Sequence, residues 1–241
     1  MKDYKILSTK GIVLDTFTLE KYLKKLASDH ILQNKSDLKT YPIPRVKENY
    51  EAIFETYKLL NEHVKLGIPI HPAGEWILDN YYVVEETVKG IIQNLNKNKY
   101  KKFLGISNGE NKGFARIYVL ANEIVAYTDG QIDGKLLKGL LSAYQEKKNL
   151  TMEEIWNIGV FIQIALIEKI RDVCEKIYVA QMQKYKVENI VERLVENKDR
   201  TESKYQRISE YRRDIREYVN IKYPFMEYMS YKLRALRKKV V

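Results

Sequence analysis

The sequence predicts an all-α protein, a bundle of helices packed around one buried helix at about residues 151–177. Apolar residues recur at helical spacing in successive segments, and no run alternates with period two for long enough to predict a sheet. The stretch 151–177 is apolar on nearly all sides, because Trp156 and Phe161 widen its surface beyond one stripe. We therefore expect other helices to surround it.

The start of this central helix is marked by Thr151, which Glu154 follows three residues later. This is the capping-box pattern, in which two side chains satisfy amide groups at a helix N-terminus. The apolar run from Ile158 to Ile167 is well short of the roughly 18 to 20 residues that cross a bilayer. The pattern favours the central helix of a soluble bundle.

Composition indicates a folded protein of the cytoplasm. The chain has 241 residues, of which 45% are hydrophobic and 31% charged, a balance typical of globular proteins. Its one cysteine, Cys174, excludes an internal disulfide framework and fits a reducing compartment. Because Cys174 lies on the apolar helix, we expect a core residue rather than a reactive thiol. The N-terminus lacks the apolar segment of a secretory signal.

Residues 1–44 are predicted to form an N-terminal helix followed by a loop. The apolar face of the helix begins after Thr18, whose hydroxyl is the predicted cap. The polar and proline-rich stretch 34–44 is the predicted loop.

Residues 45–197 are predicted to form the helical core domain. Its first helix has Pro44 in the first turn and ends at Gly67, and Pro72 opens the second helix. The glycine- and lysine-rich residues 97–113 are predicted to be an exposed loop.

Two further helices precede the central one. Helical spacing resumes from Phe114, and the turn that follows contains an Asp-Gly pair. Asp133 is the predicted cap of the next helix. Beyond the central helix the periodicity continues through Leu194, and residues 198–241 are predicted to form basic C-terminal helices, packed on the core or leading to further modules.

Positive charge is concentrated toward the C-terminus. The net charge is +10, and residues 181–241 contain 16 Lys or Arg against 9 Asp or Glu. Such a surface suits nucleic acid, anionic lipid or an acidic partner. No fingerprint of a known nucleic-acid module accompanies the charge, so a basic nucleic-acid-binding module remains an alternative without further support.

The sequence predicts neither a metal site nor a cofactor. His30, His63 and His71 lie on separate segments without metal-ligand spacing. The glycines at 97–113 form no phosphate-binding pattern, and no GxSxG nucleophile motif occurs.

Acidic residues on otherwise apolar helices, with arginines as possible counter-charges, are the candidate polar network. Its members are Glu75, Asp79, Glu85, Arg116, Tyr118, Glu123, Asp129, Glu168 and Arg171. One interpretation is a pair of carboxylates that act as general acid and base on a glycoside. The other, which we favour, is a structural network in which Arg116 and Arg171 neutralise acids between packed helices.

Several segments, taken in order, resemble a known protein family. The blocks are Glu75-Trp-Ile-Leu-Asp-Asn80 continuing to Glu85, Arg116-Ile-Tyr118 with Glu123, Thr128-Asp-Gly130, Ala143-Tyr-Gln145, Leu150-Thr151 with Glu154-Ile-Trp156, and Ala165-Leu-Ile-Glu168 with Arg171. Together they resemble the N-terminal region of bacterial cyclic β-1,2-glucan synthases, which are large membrane glycosyltransferases.

The resemblance implies a much longer parent protein that uses UDP-glucose and carries a phosphorylase-like module. The signature Gln-x-x-Arg-Trp of processive transferases is absent from this chain. We therefore expect a non-catalytic cytoplasmic domain that acts in assembly or regulation of the glycosyltransferase, with the inner face of the cytoplasmic membrane as one expected location. Its expected partners are the remaining modules of a membrane glucan synthase. A small all-α carbohydrate-active enzyme that uses the acidic cluster is the alternative, and the oligomeric state stays open.

The C-terminal helices are the predicted partner surface. Aromatic side chains lie close to arginines there, a combination favoured in buried contact patches and suited to an acidic partner or an anionic membrane. The residues are Tyr223, Phe225, Tyr228, Tyr231, Arg234 and Arg237.

Overall fold

A computed structural model describes residues 12–196, with side chains through Ile190, and confirms the all-α class. Within these residues there are seven α-helices, one 3-10 turn (Leu38–Thr40) and two strands of two residues each. The elements are α1 (Thr16–Asp29), β1 (Leu32–Gln33), α2 (Ile43–Lys65), α3 (Pro72–Asn94), α4 (Lys97–Lys102), β2 (Gly105–Ile106), α5 (Arg116–Tyr127), α6 (Gly134–Gln145) and α7 (Met152–Glu196).

The chain divides into two compact units. Of the described residues, the first unit contains residues 12–54 and Asn80–Val173, and the second contains Glu55–Asp79 and residues 174–196. The divisions fall inside the long helices α2, α3 and α7. The domain boundaries predicted after residues 44 and 197 stay predictions.

An aromatic cluster forms the centre of the first unit. Phe161 of α7 is completely buried, and its ring centroid lies 5.2 Å from that of Phe103 and 5.8 Å from that of Tyr118. The ring centroid of Tyr100 in α4 lies 6.5 Å from that of Phe161. Helix α1 packs against α6, with Leu19 among the buried residues of α1. The core thus unites residues from α4, α5 and the N-terminal half of α7.

The expectation that other helices surround the central helix on all sides is wrong for one face. Trp156 is 73% exposed and Met152 is 60% exposed, four residues apart on α7. Phe161 and Ile164, by contrast, are buried. The packed side of α7 therefore follows a stripe, and apolar residues beyond that stripe remain on the surface.

The expectation that residues 97–113 form an exposed loop is also wrong. They contain α4 and β2, and Tyr100, Phe103 and Ile106 are 1% exposed or less. Strand β2 pairs antiparallel with β1, a small sheet that the sequence did not predict. Gly105 permits this pairing, because a Cβ at that position would lie 2.5 Å from the Lys35 carbonyl oxygen. The segment was predicted to be exposed because lysines flank the buried aromatic residues in the sequence.

Caps were predicted correctly for two helices and wrongly for one. Asp133 accepts a hydrogen bond from the Leu136 amide at 2.7 Å, and the Thr151–Glu154 capping box is present. Helix α1, however, is capped by Asp15, which accepts bonds from both the amide and the hydroxyl of Thr18. Thr18 therefore lies inside the helix and is not its cap.

Close contacts between helical segments, one of them at Cys174, stabilise the second unit. Cys174 is completely buried, which confirms the core assignment, and its carbonyl accepts a bond from the Thr56 hydroxyl at 3.4 Å. A Cβ at Gly74 would come within 3.0 Å of Leu60, so these two helical segments approach closely. The ring of buried His63 stacks on Tyr185 with centroids 5.7 Å apart.

The predicted partner surface at Tyr223–Arg237 lies outside the described residues. Within residues 12–196, none of the helices combines the length and the hydropathy that a transmembrane span requires.

Candidate functional site

The most deeply buried charged group is an ion pair between α5 and α7. Arg116 is the first residue of α5, and its guanidinium donates to both carboxylate oxygens of Glu154, at 3.0 Å from Nε and 2.5 Å from Nη2. The two side chains are 1% and 0% exposed. Arg116 also donates to the Asn149 carbonyl at 3.0 Å. The pair is therefore bidentate and joined to the backbone before α7.

Glu154 has a second role at the start of α7. Its Oε2 accepts bonds from the amide of Thr151 at 2.8 Å and from the Thr151 hydroxyl at 3.1 Å, while the Glu154 amide donates to that hydroxyl at 3.2 Å. The capping box and the ion pair therefore share one carboxylate. Because the sequence shows only the cap, Glu154 was not among the predicted network residues.

A buried histidine lies close to this pair. The Arg116 guanidinium stands 5.9 Å from the centre of the Tyr144 ring, and the Tyr144 hydroxyl lies 3.0 Å from His30 Nδ1. Burial raises the pKa of Tyr144 to about 12, although Arg116 opposes the shift. Burial, together with the charges of Lys148 and Arg116, lowers the pKa of His30 to about 4. We conclude that His30 is neutral in the folded chain at pH 7.

Glu168 is the centre of a second cluster, between α2 and α7. Arg45 donates to it from Nη2 at 2.6 Å and from Nε at 3.2 Å, and Asn49 Nδ2 donates at 2.5 Å. These bonds to Glu168 raise the pKa of Arg45. The Tyr118 side chain is 8% exposed, and its pKa is raised first by burial and then by the charge of Glu168.

Two further predicted acids accept bonds from tyrosines. Glu85 accepts from the Tyr50 hydroxyl at 3.3 Å and pairs with Lys89 at 3.2 Å. Glu123 accepts from the Tyr22 hydroxyl at 2.7 Å, and the pKa of Tyr22 is raised by burial and by that carboxylate. These contacts link α2 to α3 and α1 to α5 within the first unit.

The remaining predicted network residues lie nearer the surface. Asp129 is exposed and pairs with Lys169, and Arg171 pairs with Asp172 at 3.3 Å. Glu75 and Asp79 are exposed on the segment of α3 that belongs to the second unit.

The predicted residues thus fall into separate clusters. The structure places Tyr118 beside Glu168, whereas Arg116 pairs with Glu154 and Glu168 pairs with Arg45. Sequence reasoning missed Arg45, Asn49 and Glu154. Glu154 had a signal in its capping-box position, but Arg45 lies more than a hundred residues before its partner and nothing local indicates the pairing.

The chemistry of these clusters is that of charge neutralisation. Glu154 and Glu168 each accept a bidentate guanidinium and at least one other donor, so each carboxylate is paired with a positive charge. Among the described residues, no group of three or more His, Cys, Asp or Glu could hold a metal ion.

Comparison with known proteins relates part of the chain to a glucan synthase. No family model matches the chain. Over 155 residues it is 25% identical to the cyclic β-(1,2)-glucan synthase NdvB of Rhizobium meliloti (strain 1021). The chain is similar to part of a glucan synthase. The aligned segment covers 64% of this chain and 5% of NdvB, so the chain spans only a small fraction of the length of that relative.

Proposed function

We propose that the chain is a non-catalytic helical module that acts in the assembly or regulation of a cyclic β-1,2-glucan synthase. The observation that carries the proposal is the similarity to NdvB over 155 residues. The aligned segment is 5% of NdvB, and in our proposal other parts of such an enzyme carry out the reaction. We place the module at the N-terminal end of such a synthase, at the inner face of the cytoplasmic membrane.

The residues that carry the family resemblance support a structural role. The block that begins at Arg116 and the block that contains Glu154 supply the two halves of the most buried ion pair. The block that ends at Glu168 supplies the acceptor of the Arg45 contact. These residues fix helix against helix, which is a structural role.

The state of the acids also supports a non-catalytic role. Glu154 is completely buried, and Glu168 is 13% exposed and already occupied by Arg45 and Asn49. The exposed acids Glu75 and Asp79 lie in the other compact unit.

The test is a binding experiment with NdvB from which the aligned segment has been deleted. The tagged chain is co-expressed with this protein, and detergent-solubilised membranes are passed over the tag. We expect the truncated NdvB to co-purify with the full chain. We expect less truncated NdvB to co-purify when residues 225–241 are removed from the chain. Failure of the full chain to retain NdvB contradicts the assembly role.

A parallel assay separates the module from an enzyme. The purified chain is incubated with UDP-glucose and with linear β-1,2-glucan, and release of glucose or shortened glucan is measured. We expect no turnover. Turnover that is lost in a folded Glu75→Gln or Asp79→Asn variant would establish a small carbohydrate-active enzyme instead.

A further inference from the structure

Six exposed lysines from three separate segments of the first unit make up what we call the lysine face. The residues are Lys35, Lys39, Lys97, Lys101, Lys102 and Lys112. Two of them flank or belong to the Leu38–Thr40 turn, three belong to α4, and one lies in the loop after β2.

Buried Tyr100 holds these segments together. Its hydroxyl lies 2.8 Å from the Thr40 hydroxyl and accepts from the Ala115 amide at 3.2 Å, while its carbonyl accepts from the Ser36 hydroxyl at 2.6 Å. The Asp37 amide donates to the Gly113 carbonyl at 2.8 Å. The lysines are therefore carried by a fixed backbone frame, and their charges act together without an ordering cost to the backbone.

The positive charge of this region is local. Residues 31–40 and 95–115 contain seven lysines and two acids, a net charge of +5. The remainder of residues 1–180 carries a net charge of −2. Lys99 is the seventh lysine, and it donates to the Asn94 carbonyl at the end of α3. Residues 31–40 and 95–115 thus carry an excess of positive charge that the rest of residues 1–180 does not share.

An apolar side chain lies among these charges. Leu38 is 42% exposed and precedes Lys39 in the 3-10 turn that contacts α4. Exposed apolar groups beside lysines are the combination with which peripheral proteins bind the boundary between headgroups and acyl chains. A bilayer supplies an apolar partner directly beneath its anionic headgroups, whereas in nucleic acid the apolar partners are the bases and not the phosphates.

The type of basic residue agrees with this distinction. Residues 12–44 and 95–115 contain no arginine. Arginine is the preferred residue for bidentate recognition of phosphates and bases, whereas lysine acts as a point charge toward a diffuse anionic surface. We propose that the lysine face docks on an anionic lipid bilayer, with its ammonium groups at the lipid phosphates and Leu38 in the interfacial layer. This inference rests on the proposed function in one respect, since it names the surface by which the module meets the membrane face at which we place it; vesicle binding and NdvB binding test the two proposals separately.

The experiment is co-sedimentation of the full chain with phosphatidylcholine vesicles that contain or lack phosphatidylglycerol. One variant carries Lys97→Gln, Lys101→Gln and Lys102→Gln. The matched control neutralises three exposed lysines elsewhere on the first unit, namely Lys25, Lys135 and Lys138. Each lysine near an anionic surface contributes about fivefold to partitioning, so we expect the α4 variant to bind roughly 100-fold more weakly than wild type. We expect the control to lose much less.

Two further arms make the test independent of α4 itself. Neutralising Lys35, Lys39 and Lys112 should weaken binding by a similar factor, because they belong to the same face. Leu38→Asn should weaken binding at all salt concentrations without a change in charge. Circular dichroism melting checks that every variant is folded.

Equal losses in the α4 variant and its control would overturn the proposal, as would equal binding to vesicles that lack phosphatidylglycerol. Vesicle binding that is unchanged in the α4 variant, together with loss of salt-sensitive association with duplex DNA, would assign the face to nucleic acid instead.

Discussion

Arg116 and Glu154 form an ion pair whose side chains are 1% and 0% exposed. The carboxylate that neutralises Arg116 also closes the capping box of α7 with Thr151. One residue therefore fixes both where α7 starts and how α5 packs against it. Removing either charge leaves the other buried without compensation, which makes this pair the most sensitive point of the first unit.

We expect Glu154→Gln to lower the free energy of unfolding by about 3 to 5 kcal/mol, because the Arg116 charge stays buried. Urea denaturation of the chain, followed by the helical circular dichroism signal, measures the effect. Arg116→Met should cost a similar amount. The double variant Arg116→Met with Glu154→Leu should be more stable than either single variant, since no charge remains.

The control for this pair is Glu153→Gln, which removes a neighbouring acid on the same turn of α7. It should change the free energy of unfolding by no more than about 0.5 kcal/mol. If the double variant loses as much free energy of unfolding as the two single variants together, the two side chains do not interact.

Glu168→Gln should destabilise the chain less than Glu154→Gln. The Glu168 and Arg45 side chains are 13% and 20% exposed, so solvent screens part of the interaction, and we expect a loss of about 1 to 2 kcal/mol. Thermal melting provides the measurement. Glu48→Gln is the matched control, because Glu48 is 51% exposed and stands 3.8 Å from Arg45. An unchanged melting temperature for Glu168→Gln would contradict the pairing with Arg45.

His30 should make stability depend on pH. Its pKa falls to about 4 in the folded chain from an ordinary value of 6.5, because the ring is buried next to Tyr144 and near Lys148 and Arg116. Between these two values the unfolded chain binds a proton that the folded chain does not. The contribution of neutral His30 to the free energy of unfolding is therefore fully present above pH 6.5. It declines as the pH falls toward 4, by about 3 kcal/mol in total.

The difference between wild type and His30→Gln isolates this effect from the carboxylates that titrate in the same range. Gln retains an acceptor for the Tyr144 hydroxyl but binds no proton. We expect the variant to lose less stability than wild type between pH 7 and pH 4.5. Exposed His71 supplies the comparison, and His71→Gln should follow the wild-type profile. Parallel profiles for wild type and His30→Gln would refute the assignment.

Cys174 should be unreactive in the folded chain. Burial raises the pKa of its thiol to about 12, so little thiolate forms at pH 8 and no reagent reaches it directly. We expect modification by a chromogenic disulfide reagent to proceed only at the rate at which the second unit opens. Addition of urea should accelerate the reaction by orders of magnitude, and rapid labelling without urea would contradict the burial.

The ends of helices were predictable from sequence wherever a single local residue determines them. Pro72 begins α3, Asp133 caps α6, and Gly67 adopts a positive φ of 68° after α2. The segment around α4 was not predictable by the same means. Tyr100 and Phe103 are only three residues apart, and the lysines beside them lower the average hydropathy of the segment. Their burial results from packing against Phe161 of a distant helix, which the local sequence does not indicate.

The candidate site was harder to predict than the fold. Acids on apolar helices identified Glu168, but its partner Arg45 lies 123 residues away and was not among the arginines predicted as counter-charges. Glu154 was recognised as a cap, and its second role depends on a contact 38 residues away. Charge pairing across a bundle is set by tertiary packing, which helical periodicity does not encode.

The most direct test of the central claim measures glucan synthesis from UDP-glucose in membranes that contain NdvB without the segment aligned with this chain. The purified chain is added or withheld, and incorporation of labelled glucose into cyclic β-1,2-glucan is quantified. We expect the chain alone to make no glucan and its addition to raise synthesis by the truncated enzyme. Equal synthesis with and without the chain, or synthesis by the chain alone, would contradict a non-catalytic role in assembly or regulation.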